Sequence, residues 1–157
     1  MGKGIGYQVT MTQRMEVSLK TPSAVSDQDL YTLLRGIDVI LVPVLPSSID
    51  IRAGARFIAQ LLAHRVYRTR AAPVGVIANR VRDNTVTHAK LIQFLQCLKV
   101  PTVATFRDSA LYTRLAEEGS GIFDDTVTPT TAREVREWSK LLHWIDTTAA
   151  QSGNDVR

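Results

Sequence analysis

Cysteine occurs once in the 157 residues, at Cys97. A single thiol excludes an internal disulfide framework and makes a reducing, cytoplasmic setting the expected one. With no His or Asp motif beside it, Cys97 reads as a small apolar residue on a helix. Proline and glycine, 6 and 9 residues, are too sparse for a linker or a disordered tail. The longest apolar run, Val39–Leu45, is strand-sized and far short of a bilayer span. The opening MGKGIGYQVTMTQR lacks the apolar centre of a secretory signal. His64, His88 and His143 are widely separated and no cysteines are paired, so no metal-ligand spacing is present. No nucleophile-elbow motif supports a Ser/His/Asp triad.

What is there suits one soluble domain. Hydrophobic residues make up 45% and charged residues 22%, a length and balance that fit a single core. Net charge is +4 and the sequence pI is about 9.5. Arginine supplies most of the positive charge, and its planar fork suits phosphate better than a lysine does. That is compatible with a polyanionic partner without demanding one.

Short apolar runs alternate with longer amphipathic stretches. Met15–Leu19 reads as a weak strand, and Ser26–Arg35 as a helix capped by Ser26 and stopped by Gly36. Val39–Val44 is a β-branched run of the kind buried on both faces of a parallel sheet. Its Pro43 cannot donate to a central ladder, so it is expected at or near the carboxyl end of the strand, where pairing stops. Ser47–Asp50 predicts a capping box with Asp in place of Glu. The helix behind it runs to about His64, with Ile51, Ala55, Ile58, Leu61 and Leu62 on one face. Strands are expected at Pro73–Ala78 and Val100–Phe106, with a helix between them over Thr87–Lys99. Ser109–Glu118 predicts a helix closed by Gly119. Thr131 and Glu134 form a capping box for a helix to about Ala150, whose Val135, Trp138, Leu142 and Ile145 should dock on the sheet. The tail, Gln151–Arg157, is polar.

This alternation predicts an α/β fold: a three-layer parallel sheet flanked by helices, joined by right-handed crossovers. It forms one domain over residues 17–150, after a poorly defined segment 1–16. Ligands of such sheets bind beyond the carboxyl ends of the strands. Pro43–Asp50, Asn79–Thr85 and Phe106–Ser109 fall there.

Those three loops, in that order, resemble the ParA/MinD family of deviant Walker partition ATPases. Val17–Ala24 reads V-S-L-K-T-P-S-A, with Thr21-Pro22 matching the family's Asp-Thr-Pro and Lys20 standing where the acid is expected. Val39–Val44, Pro46 and Asp50 match its apolar strand and Pro-x-x-x-Asp. Val76–Arg80, V-I-A-N-R, matches the strand whose terminal Asn contacts adenine. Thr105–Asp124, T-F-R-D-S-A-L-Y-T-R-L-A-E-E-G-S-G-I-F-D, matches its last strand, polar loop, helix and glycine. The resemblance spans about residues 17–148. It implies a P-loop NTPase-like fold, incomplete at the amino terminus. It also implies a nucleotide-binding set of Asn79, Arg80, Phe106, Arg107 and Asp108, and switch-like residues Thr21, Pro22, Pro46 and Asp50.

The family's phosphate loop is missing. Gly2-Lys3-Gly4-Ile5-Gly6 has no preceding strand and no Lys-Ser/Thr after it. Lys20 would repel the magnesium that an acid there holds. Phosphoryl transfer depends on positioning and charge neutralisation, so hydrolysis of ATP by this chain alone is not expected. ATP and magnesium remain what the resemblance implies as cofactors. A functional ATPase whose loop lies in a longer chain, and a scaffold with no nucleotide role, are the alternatives.

The resemblance also implies DNA binding by basic residues in the carboxyl-terminal region, here Arg133, Arg136 and Lys140. Arg65, Arg68 and Arg70 add a second basic run, which reads either as a solvated helix end or, at Arg68 and Arg70, as further phosphate contacts. A homodimer and a ParB-like protein are the expected partners. Thr147–Arg157 has no bulky apolar face to insert into a membrane.

Overall fold

The computed structural model describes residues 37–70, 72–124, 128–129 and 131–154, without the side chains of 66, 69, 70 and 152–154. The expected strand Met15–Leu19, the helix Ser26–Arg35 with Gly36, the segment 1–16 and the residues Lys20, Thr21 and Pro22 lie outside the described residues. So does the Arg70 side chain.

Three parallel strands form one sheet in the order β1 (Ile40–Val44), β2 (Val74–Val81) and β3 (Thr102–Arg107). Val42 pairs with Val76 and Val44 with Ala78, while Ala78 pairs onward with Thr105. The first five residues of β2 are all buried, as a central strand covered on both faces requires. Pro43 stands near the carboxyl end of β1 as expected, opposite Ile77 and one residue before the last pair at Val44. It is tolerated because β1 is an edge strand among the described residues. Its missing N–H costs no bond there, and the residue is exposed.

Polar caps set where the helices begin. Helix α1 (Ser48–Ala63) starts behind Ser47, whose Oγ accepts from the Asp50 N–H at 3.1 Å and donates to the Asp50 carboxylate. His64 then turns to extended geometry (φ −66°, ψ 134°) and breaks the helix. Residues 65–70, expected as a helix end and loop, form a second short helix, α2 (Arg65–Arg70). Helix α3 (Val86–Cys97) is capped by Thr85, which accepts from His88 N–H at 3.1 Å, and Cys97 at its end is exposed. Helix α4 (Ala110–Glu117) opens on Ser109 and closes in a Schellman turn. There Gly119 sits at φ +66°, its N–H reaches Ala116 at 3.2 Å, and the Ser120 N–H reaches Leu115 at 2.8 Å.

Helix α5 (Ala132–Asn154) begins differently from expectation. The reciprocal box lies one turn earlier. Thr128 N–H donates to Thr131 Oγ1 at 2.9 Å, and Thr131 N–H returns to Thr128 Oγ1 at 3.2 Å. The Glu134 carboxylate, freed from capping, turns to Arg107 instead.

The layers are three. Helices α1 and α3 cover one face through Ile58, Leu61, Leu91 and Leu95 packed on Val42, Val44, Val76 and Ala78. Helix α5 covers the other through Leu141 and Ile145, with Trp138 and Trp144, on Ile77, Ala104 and Phe106. The docking row is therefore 134-138-141-145, with Leu141 in place of the expected Leu142, a row at helical i, i+4, i+7 spacing. Gly75 allows the close approach: a Cβ there would stand 2.8 Å from Val103 Cγ1 and 2.9 Å from Trp144 Cη2.

Candidate functional site

The carboxyl ends of β2 and β3 gather most of the polar side chains that meet across elements. β2 runs past Ala78, where it was expected to stop, and reaches Val81 through an irregular register. Within that irregularity Arg80 holds φ 52°, a left-handed conformation rare for a residue with a Cβ. The Asn79 Oδ1 accepts from the Arg80 N–H at 3.0 Å and steadies it. Such strain, about 1 kcal/mol or more, survives where surroundings over-determine it, commonly at functional positions.

β3 is stitched to this end of β2, because Asp108 N–H donates to the Val81 carbonyl at 2.9 Å. Asp108 then receives two guanidiniums, Arg82 at 2.6 Å and Arg80 at 3.3 Å. Those hydrogen bonds, Arg82 first, hold its carboxyl below the usual range. From the first turn of α5, Arg133 reaches Asp83 in the β2–α3 connection at 2.6 Å, and that bond likewise lowers the Asp83 pKa.

Beneath them lies a pair with one buried member. Glu134 is 2% exposed, and its Oε1 takes both Arg107 Nη2 at 2.6 Å and Nε at 2.7 Å. Its other oxygen, the Tyr112 hydroxyl and the Trp138 indole N–H are buried without hydrogen-bond partners among the described residues. Burial raises the Tyr112 pKa. Phe106 packs against Trp138 with ring centroids 4.6 Å apart. One turn on, Glu137 accepts the outward Thr105 N–H at 3.0 Å and pairs with Lys140 at 2.6 Å. Desolvation would raise the Glu137 pKa, but the Lys140 and Thr105 bonds together leave it lowered.

The expected site residues thus separate. Asn79, Arg80, Arg107 and Asp108 come together, joined by Arg133. Phe106 is 7% exposed and belongs to the core. Pro46 and Asp50 lie at the end of β1, with Asp50 engaged in the α1 cap. Lys140 is paired, whereas Arg136 on α5 and Arg68 on α2 are exposed. Sequence reasoning missed Arg82, Asp83, Glu134 and Tyr112 as members of the cluster. Only Glu134 left a signal, a carboxylate four residues before Trp138 on an otherwise apolar row.

Neither a protein-family model nor a curated protein matches the chain.

The chemistry on offer is binding rather than proton transfer. Asp83 and Asp108 are held ionised by their arginines, which makes them weak general bases near neutral pH. The exposed edges of Arg80 and Arg82, 67% and 75% accessible, keep N–H donors free for an anion. Among the described residues no group of three or more His, Cys, Asp or Glu could hold a metal ion. No described helix is long and apolar enough to cross a membrane.

Proposed function

We propose that the chain is a ParA-like protein of plasmid or chromosome partition, or of cargo positioning. It contacts a nucleotide at the carboxyl end of a P-loop NTPase-like sheet and does not hydrolyse ATP by itself. One observation carries the reading. The motif-bearing strands β1, β2 and β3 are adjacent, parallel and in sequence order. The residues Pro46 and Asp50, Asn79 and Arg80, Arg107 and Asp108 therefore emerge at one end of one sheet, where such folds bind ligands. A homodimer, a ParB-like protein and DNA are the partners this function would use.

Asp83 and Asp108 are each paired with a guanidinium, an arrangement that suits an anion better than a magnesium ion. Base contacts with the donors of Arg80 and Arg82 alone should give low affinity, a Kd on the order of 1 mM or about −4 kcal/mol.

The test is titration of the folded chain with a fluorescent ATP analogue, with and without magnesium, alongside phosphate release. Weak, magnesium-insensitive binding that is lost in Asn79→Ala is expected. Tight magnesium-dependent binding with turnover would make the chain a working ATPase. No saturable binding would remove the nucleotide and leave a scaffold.

A further inference from the structure

We propose that the Glu137 carboxylate closes the outer edge of β3 against strand addition, and that without it this edge pairs with β3 of a second copy of the chain. The inference rests on the sheet edge alone and stands apart from the nucleotide and partition reading.

Among the described residues β1 and β3 are the two outer strands of the sheet. An outer strand presents unpaired N–H and C=O groups, a template on which another chain can add a strand. The two edges meet this hazard differently. β1 carries Pro43 one residue before its last pair, so the chain itself removes a donor there. β3 has no such breaker. Its Thr102–Phe106, T-V-A-T-F, holds no charge, no proline and no glycine, and Thr102, Val103 and Thr105 are β-branched. That is the composition of segments that add to copies of themselves. Pro101 and Arg107 bracket the run without interrupting it.

The block on β3 comes from α5 instead. The outward Thr105 N–H donates to Glu137 Oε2 at 3.0 Å, and the other carboxylate oxygen takes Lys140 Nζ at 2.6 Å. The Glu137 side chain is only 13% exposed, so the contact is largely shielded from water. Phe106 against Trp138 and the buried Leu141 hold α5 to this strand. The β2–β3 register shifts on both sides of the pairs Ile77–Ala104 and Ala78–Thr105. The regular part of the edge is therefore short, and one acceptor at Thr105 covers its donor. A second copy fits the opened edge because two β3 strands running antiparallel about a twofold axis meet through the same uncharged run. In the wild-type chain this edge is shut, so it serves no working assembly.

The experiment is sedimentation velocity of the full chain over a dilution series, with folding followed by circular dichroism. Glu137→Ala should associate as concentration rises, toward twice the wild-type mass. Glu137→Gln keeps an amide oxygen for the Thr105 N–H and should sediment as wild type. Glu137→Ala/Thr105→Pro should do the same, because the freed N–H is gone and no ladder bond is lost. Gly75→Ala, which disturbs packing without touching the edge, should not associate. In wild type, hydrogen exchange at the Thr105 amide should be slow for an outer strand. A folded Glu137→Ala chain that sediments as wild type overturns the inference, as does fast exchange at Thr105. Association as strong in Glu137→Gln or Gly75→Ala, or association that survives Thr105→Pro, overturns it equally.

Discussion

Arg107 and Glu134 form one pair with two unequal partners, and that inequality predicts the order in which variants lose stability. The Glu134 side chain is 1% exposed and the Arg107 side chain 32%. Arg107→Met strands a carboxylate where water cannot reach it, which costs about 3–5 kcal/mol. Glu134→Leu strands a guanidinium that can turn its exposed third toward solvent, while leucine fills the space beside Trp138. About 1 kcal/mol is expected there, well below the cost of leaving a buried charge. The double variant removes both charges together and should be near neutral, so the two single losses must fail to add. Urea unfolding followed by far-ultraviolet circular dichroism reads all three. With a slope of about 2 kcal/mol per molar urea, Arg107→Met should lower the midpoint by about 2 M and Glu134→Leu by about 0.5 M. A larger loss in Glu134→Leu than in Arg107→Met would refute the reasoning, as would a double variant whose loss equals the sum.

Two further predictions concern the packing and the surface pairs. Gly75→Ala places a methyl against Val103 and Trp144 at under 3.0 Å, so it should destabilise by about 1–2 kcal/mol despite alanine's smaller unfolded-state entropy. Calorimetry should show a lowered Tm, partly recovered by adding Val103→Ala; an unchanged Tm would mean α5 is not pressed on β2 at this point. On acidification, Asp83, Asp108 and Glu137 have folded pKa values below their ordinary 3.8, 3.8 and 4.5. The unfolded chain therefore takes up protons first. Their stabilisation is whole above about pH 5 and is lost as pH falls through the lowered folded values. Urea midpoints that stay flat from pH 6 to about pH 3 would contradict this.

Local chemistry made the framework legible. Ser47 marks a helix start because a hydroxyl before an apolar-periodic stretch can satisfy a first-turn N–H, and the same chemistry operates at Thr85 and Ser109, neither of which was singled out as a cap from sequence. Gly119 marks a stop because a left-handed C′ position favours it. Sites that depend on distant partners were not legible in the same way. Thr131 and Glu134 satisfy the spacing of a capping box, yet Thr128 offers the same hydroxyl one turn earlier, and Arg107, 27 residues away, outbids the backbone for Glu134. Pro43 was legible as lying near a strand's end, and the one-sided pairing of β1 explains why its missing N–H costs nothing there. Of the nucleotide set, Asn79, Arg80, Arg107 and Asp108 share the strand ends because parallel order puts them there. Phe106 alternates inward on β3, where a strand's period of two sends every second side chain to the core.

The same long-range pairing divides the molecule's positive charge into two kinds. At the strand ends, three carboxylates, Asp83, Asp108 and Glu134, meet four guanidiniums, because the parallel sheet converges the β2 and β3 termini on the first turn of α5. Those charges set geometry and add little to the outward field. Helices α1 and α2 have no such convergence. Their neighbours in sequence are apolar core residues and their exposed stripe carries no acid, so the field of Arg52, Arg56, Arg65 and Arg68 is uncompensated among the described residues. A polyanion approaching the protein is therefore steered by the region that local sequence left unbalanced. The strand end, mostly neutralised, offers an anion the directed donors of Arg80 and Arg82 more than net charge.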